Sequence, residues 1–242
     1  MSTIVVIPTY NERENLPILV EKIFALPIED IQLLIVDDNS PDGTGQLAEQ
    51  LGKQKDGRVH VLHRAGKLGL GTAYVEGFKK ALELGADRVV QMDADFSHPP
   101  ETLIEFMNAI QDHDLVIGSR YVAGGSLDRE WPFTRKLLSA FGNFYARTIL
   151  GLKIHDVTAG FRMWRKESLL KIPLDRIRSN GYMFQVEMAY LATKLGMNFK
   201  EVPIYFAERI YGTSKIDFSI QREAAISVWK LPFRYRDINR QK

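Results

Sequence analysis

Two rhythms alternate along the first half of this chain. Apolar runs at 3–8, 31–36, 58–62, 88–92 and 115–117 read as buried strands, most of them closed by proline, glycine or a cluster of turn formers. Between them the apolar positions switch to helical spacing. Leu16, Leu19, Val20 and Ile23 predict a helix within 11–24, capped by Asn11 or a neighbour, and Leu47 with Leu51 predicts a second. Ala73, Phe78, Ala81 and Leu82 predict a helix over 69–84, and another follows over 100–110. Strand and helix in strict alternation predict an α/β fold, a mostly parallel sheet with helices on both faces and ligands at the carboxyl ends of the strands. Tyr10, Asp38 and Asp95 would lie at that edge. After Ala123-Gly124-Gly125-Ser126 the pattern is less regular, with helices predicted over 135–150, 181–195 and 218–231, the last ended by Pro232, and a strand over 199–202. No repeat or low-complexity linker interrupts the chain, so one catalytic-sized domain is expected over 1–216, followed by an amphipathic helix and basic tail over 217–242.

Composition narrows the class. The 242 residues are 45% hydrophobic and 26% charged, ordinary for a globular protein, and no run of about 18 apolar residues offers a membrane span. The chain enters its first strand at once, without a basic leader, so a secretory signal is not expected. The absence of cysteine excludes disulfides and zinc–thiolate sites and fits a reducing compartment. A net charge of +2 gives no reason to expect a nucleic acid partner, but the chain from Tyr205 onward is locally basic, through Arg209, Lys215, Arg222, Lys230, Arg234, Arg236, Arg240 and Lys242.

The candidate chemistry gathers at the predicted strand ends. Asp93-Ala94-Asp95 closes the run 88–92, and two carboxylates there suit Mg²⁺ or Mn²⁺, which bind through one or two carboxylates plus substrate phosphates. Asp95 is the expected metal ligand and Asp93 the partner of sugar or ribose hydroxyls; solvated loop carboxylates are the plain alternative. Asp37 and Asp38 end another strand, where a carboxylate can accept from a ribose or base, though Asp37-Asp38-Asn39-Ser40-Pro41-Asp42-Gly43 is also a dense turn signal. Arg120 follows the run 115–117 toward the same edge, where its guanidinium could fork onto phosphate or form a salt bridge. Arg209 and Lys215 flank Gly212 in a stretch suited to closing over a diphosphate, although a solvated basic loop has the same composition. His98, before Pro99-Pro100, reads as structural. The glycines from Gly66 to Gly71 lack the GxxxxGK[ST] order of a triphosphate loop, and no GxSxG elbow is present.

The ordered set Val6-Ile7-Pro8-Thr9-Tyr10-Asn11-Glu12, Val36-Asp37-Asp38-Asn39-Ser40, Asp93-Ala94-Asp95, Gly118-Ser119-Arg120-Tyr121, Asp156-Val157-Thr158-Ala159-Gly160-Phe161-Arg162 and Arg209 to Lys215 closely resembles family 2 glycosyltransferases. Within them it is most similar to the dolichol (polyprenol) phosphate mannose synthases of the type lacking transmembrane helices. The resemblance implies a GT-A fold, a divalent cation, and inverting transfer of mannose from GDP-mannose to a dolichyl or polyprenyl phosphate. It further implies that Pro8, Tyr10, Glu12, Val36 and Asp38 hold the nucleoside and that Asp93, Ala94 and Asp95 meet the sugar diphosphate, with Asp95 on the metal. Arg120, Arg209 and Lys215 would hold phosphates, and Arg120, Arg135 and Ser139 the acceptor phosphate, with Asp95 and Arg120 the residues of the reaction itself. Similar synthases often carry a metal-ligating glutamine where this chain has Ser97.

The lipid acceptor implies a peripheral place at the cytosolic face of a membrane. Phe218, Ala225, Val228, Trp229 and Phe233 among basic residues suit an interfacial helix, and packing onto the domain would use the same stripe. Small membrane-anchoring subunits are a further expected partner. Two other readings stand beside the first: a family 2 enzyme using UDP-glucose or a related donor, and a non-catalytic nucleotide-sugar-binding subunit.

Overall fold

The structure is a computed structural model describing residues 1–207 and 218–238, with the main chain alone over 218–224. Its first half runs β1 (Thr3–Thr9), α1 (Asn15–Phe24), β2 (Ile31–Asp37), α2 (Thr44–Gln54), β3 (Val59–His63), α3 (Leu70–Glu83), β4 (Arg88–Gln91), α4 (Thr102–Ala109) and β5 (Leu115–Ser119). The second half adds β6 (Ser126–Leu127), α5 (Phe133–Leu150), β7 (Arg162–Arg165), α6 (Lys166–Lys171), α7 (Gly181–Lys194), β8 (Phe199–Pro203), β9 (Tyr205–Phe206) and α8 (Phe218–Arg234).

Seven strands form one sheet in the order β3-β2-β1-β4-β7-β5-β8, and a small parallel pair joins β6 to β9. The strands of the large sheet run parallel except β7, which is antiparallel to both β4 and β5. Both faces are covered, and β1 shows why its sequence is apolar without alternation. Ile4 and Val6 enter the core shared with α3, α5, α7 and α8, while Val5 and Ile7 enter the core shared with α1, α2 and α4. On the first face α3 lies close to the sheet because Gly77 carries no side chain: a Cβ there would stand 2.4 Å from Val6 Cγ1.

Two predicted details change. Helix α1 begins at Asn15 rather than near Asn11, whose φ of 60° places it in a left-handed turn before the helix. Helix α8 runs through Pro232 to Arg234, because buried Leu231 and Tyr235 hold this last turn on the domain and Tyr235 N–H reaches Leu231 O at 3.1 Å.

Candidate functional site

Because β1, β2, β4 and β5 share one direction, their carboxyl ends meet at one edge of the sheet. Strand β4 stops at Gln91, and Asp93, Ala94 and Asp95 follow in the loop beyond it. Phe96 takes a φ of 62°, a left-handed conformation costly for a bulky residue, and this reversal turns Ser97 back onto Asp95. Ser97 donates to Asp95 Oδ1 from its main-chain nitrogen at 3.1 Å and from Oγ at 2.6 Å. Both residues are buried. Asp93 is held from beneath by the fully buried Tyr74, whose hydroxyl donates to Oδ1 at 2.9 Å. Burial, and then the neighbouring Asp93 carboxylate, push the Tyr74 phenol well above its ordinary range, so it acts as a permanent donor. His98 accepts the Asp93 N–H at Nδ1 (3.0 Å), which puts its own proton on Nε2, 4.0 Å from Asp93 Oδ2.

No group of three or more metal-binding side chains gathers among the described residues. A cation that keeps its waters and takes the rest of its shell from a diphosphate needs fewer, and Asp95 is a suitable oriented oxygen donor for one. Ser97 gives its hydroxyl proton to Asp95, and so orients that carboxylate.

The expected nucleoside residues lie on the β1–β2 side of the edge. Pro8 is half-buried in β1, Tyr10 is exposed just past its end, and Lys67 stands 4.2 Å above the Tyr10 ring. Val36 is fully buried, so its side chain belongs to the core. Glu12 receives the Asn15 amide at Oε2, 2.7 Å away, at the start of α1. The neighbouring aspartates divide their roles. Asp37 builds the turn, accepting at Oδ1 from Ser40 Oγ at 2.5 Å and from Thr9 Oγ1 at 3.3 Å. Asp38 pairs with buried Arg64, which also reaches Thr72 Oγ1 at 2.6 Å and Glu76 at 3.2 Å. Burial raises the Asp38 carboxyl above its usual range, and Arg64 opposes that rise.

Arg120 reaches the edge from β5, but its fork is already engaged. Nε and Nη2 each meet Asp156 at 2.7 Å, and Nη2 also reaches Thr158 Oγ1 at 2.7 Å. The salt bridge weighed from the sequence is therefore present, and it is buried rather than superficial. For Asp156, burial would raise the carboxyl, yet the Arg120 charge and hydrogen bonds hold it below its ordinary range. A row of rings connects this pair to the carboxylates. His98 stacks on Phe161 at 5.0 Å and meets Phe206 edge-on at 5.7 Å, and the Arg120 guanidinium lies 5.2 Å from the Phe206 ring. Trp131 meets Phe206 at 5.7 Å and carries the Arg135 guanidinium 3.5 Å from its own ring centre. One turn along α5 from Arg135, Ser139 Oγ lies 2.8 Å from the Tyr121 hydroxyl. Arg135 and Ser139 thus come to the same side as Arg120, while Arg209 and Lys215 lie outside the described residues.

Sequence reasoning assigned no role to Arg64, Tyr74, Asp156 or Gln185. All four lie far in sequence from the side chains they hold, and no local spacing marks such pairs. Gln185 does leave a signal, a polar residue inside the apolar stretch 183–192.

Comparison with known proteins agrees with this architecture. Residues 4–172 match the model of glycosyl transferase family 2. The polyprenol monophosphomannose synthase of Mycolicibacterium smegmatis is 49% identical over 228 residues, covering 93% of this chain and 85% of that protein. The undecaprenyl-phosphate mannosyltransferase of Micrococcus luteus is 46% identical over 241 residues, covering 98% of each. Among solved structures, mannosyl-3-phosphoglycerate synthase from Rubrobacter xylanophilus superposes with a TM-score of 0.68 at 20% identity, over 100% of this chain and 77% of that one. Glucosyl-3-phosphoglycerate synthase from Mycobacterium tuberculosis, crystallised with Mn²⁺ and UDP-glucose, gives 0.67 at 19% identity, over 96% of this chain and 78% of that one. With its mostly parallel, two-faced sheet and a family match that spans the strand-end carboxylates and Asp156, the chain belongs to family 2 of the glycosyltransferases.

Proposed function

We propose that this protein transfers mannose from GDP-mannose to a polyprenyl phosphate with inversion, releasing GDP. The observation that carries the reading is the near-full-length match to two polyprenyl-phosphate mannosyltransferases at 49% and 46% identity. The site chemistry agrees with it. A phosphate monoester is already largely anionic at neutral pH, so the acceptor needs no strong general base, and the enzyme's task is placement and charge handling. Asp95 would hold the divalent cation, which supplies positive charge to the departing diphosphate. Tyr10, Asp38 and the Arg64 and Lys67 cations beside them form the nucleoside side. On the acceptor side Arg135 and Ser139 take the incoming phosphate, while Arg120, fixed by Asp156, offers it the Nη1 edge that Asp156 leaves over. Arg209 and Lys215 keep their proposed place on the donor phosphates.

The lipid acceptor brings the protein to a membrane surface, and one side of the molecule suits that. Helix α5 exposes Phe133, Leu137, Leu138, Phe141 and Phe144, and neighbouring α8 exposes Ile226, Trp229 and Phe233. The two helices are tied by Tyr145, whose hydroxyl donates to Ala225 O at 3.2 Å and accepts Trp229 Nε1 at 2.9 Å. No helix among the described residues is long and apolar enough to cross a bilayer. We place these faces in the interfacial layer of the cytosolic leaflet, with the acceptor phosphate meeting Arg135 and Ser139 on the same helix.

The decisive assay incubates the purified chain with Mg²⁺ or Mn²⁺, a polyprenyl phosphate and either labelled GDP-mannose or labelled UDP-glucose. Label from GDP-mannose should enter the lipid phase. Transfer from UDP-glucose alone would replace the donor, and saturable nucleotide binding without transfer would replace the enzyme by a binding subunit.

A further inference from the structure

Helix α7 is buried from Met183 to Ala192, and within it Gln185 is only 2% exposed. Its amide has a fixed orientation. Trp164 Nε1 donates to Gln91 Oε1 at 2.8 Å, and Gln91 Nε2 donates to Gln185 Oε1 at 3.1 Å. An indole nitrogen can only donate, so Gln91 must turn its oxygen to Trp164 and its nitrogen to Gln185, and Gln185 must answer with oxygen. The Gln185 NH₂ group therefore faces away from this relay. It donates to no protein acceptor among the described residues, and it lies on the side of Gly160.

What it faces is a niche left by Gly160. A Cβ on that glycine would lie 3.6 Å from Gln185 Nε2, 3.7 Å from Asp93 Oδ2 and 3.3 Å from His98 Cε1. Tyr74 occupies Oδ1 of Asp93, so Oδ2 is the oxygen turned to the niche. An oriented amide donor thus stands beside an oriented carboxylate acceptor, with the His98 ring as the third wall. A hydroxyl, which both accepts and donates, matches such a pair.

We propose that Gln185 Nε2–H and Asp93 Oδ2 together bind one hydroxyl of the donor hexose in the niche at Gly160, making Gln185 a sugar-specificity residue. The inference rests on the nucleotide-sugar reading above. A buried site built to hydrogen-bond a hydroxyl penalises a ligand that cannot complete the pair, so the effect belongs to the sugar and not to the nucleotide.

The test is a calorimetric comparison of GDP with GDP-mannose, and in parallel of UDP with UDP-glucose, on wild type, Gln185→Glu and Gly160→Ala. Gln185→Glu keeps an oxygen for Gln91 while removing the donor. Gly160→Ala fills the niche with Gln185 in place, and thermal melting checks that each variant is folded. Both variants should bind the bare nucleotide within about twofold of wild type and the matching nucleotide sugar roughly tenfold or more weakly. Wild-type affinity for the nucleotide sugar in both variants, or an equal loss for the bare nucleotide, overturns the proposal. A wild-type chain that binds neither nucleotide sugar overturns the donor reading itself, and this inference with it.

Discussion

Asp95 and Ser97 illustrate how much a short sequence motif leaves unstated. The carboxylate was legible because Asp93 and Asp95 follow an apolar strand, and a strand end in a parallel sheet is where ligands sit. The role of Ser97 was not legible, since it depends on the left-handed turn at Phe96 that brings its hydroxyl back to Asp95. Asp95→Ala should abolish mannosyl transfer, by about a hundredfold or more, and leave the thermal melting curve close to wild type. Full-rate, metal-dependent transfer by that variant would remove Asp95 from the site. Arg120 was legible as a cation at the edge, but its partner Asp156 lies 36 residues away and is found only when the chain folds. Removing one member of a buried pair leaves an uncompensated charge, so Asp156→Asn should cost about 3–5 kcal/mol in denaturant unfolding at neutral pH. Asp156 titrates below its ordinary range when folded. Its contribution is therefore complete above the unfolded carboxyl value of about 4 and is lost as pH falls through the lower folded value. The Asn variant should show a shallower loss of stability over that acidic window, as measured by unfolding midpoints against pH.

Among the elements, the parallel strands were readable because burial on both faces demands unbroken apolar runs. Strand β7 was not. Arg162-Met163-Trp164-Arg165 carries charges at both ends, and it becomes a central strand only because Trp164 finds Gln91 and the two arginines find buried or edge carbonyl oxygens. Helix α5 was anticipated over most of its length, and its spacing alone could not tell a face packed on the domain from one left outside. Phe141 is 61% and Phe144 64% exposed, which decides the matter for these two. Replacing both by glutamate should reduce co-flotation with anionic vesicles several-fold and slow transfer to long polyprenyl phosphates, while binding of GDP-mannose stays unchanged. Vesicle binding equal to wild type would give this face to a protein partner or to another copy of the chain.

Across the whole molecule, the tail is joined to the core through α8. Val228, Leu231 and Tyr235 are buried in the same apolar cluster as α3 and α7. Fully buried Glu187 of α7 receives Arg234 at 2.5 Å and the Tyr235 hydroxyl at 2.8 Å. Each large apolar side chain buried is worth about 1.5–3 kcal/mol, so removing these three withdraws stabilisation comparable to the whole net stability of a domain. A chain ending at residue 217 should therefore fail to show a cooperative melt. If it melts like the full chain, α8 is a separable appendage. The sequence by itself determined the α/β class and the sheet edge at which the candidate carboxylates gather, because these follow from local periodicity and from the geometry of parallel strands. Only the tertiary structure decided which of those side chains are already committed to one another. It bound Arg120 to Asp156, Asp38 to Arg64 and Asp93 to Tyr74, and it turned the Gln185 amide toward the niche at Gly160. Those partners meet across strands and helices far apart in sequence, and their contacts arise from close packing, which no local pattern encodes.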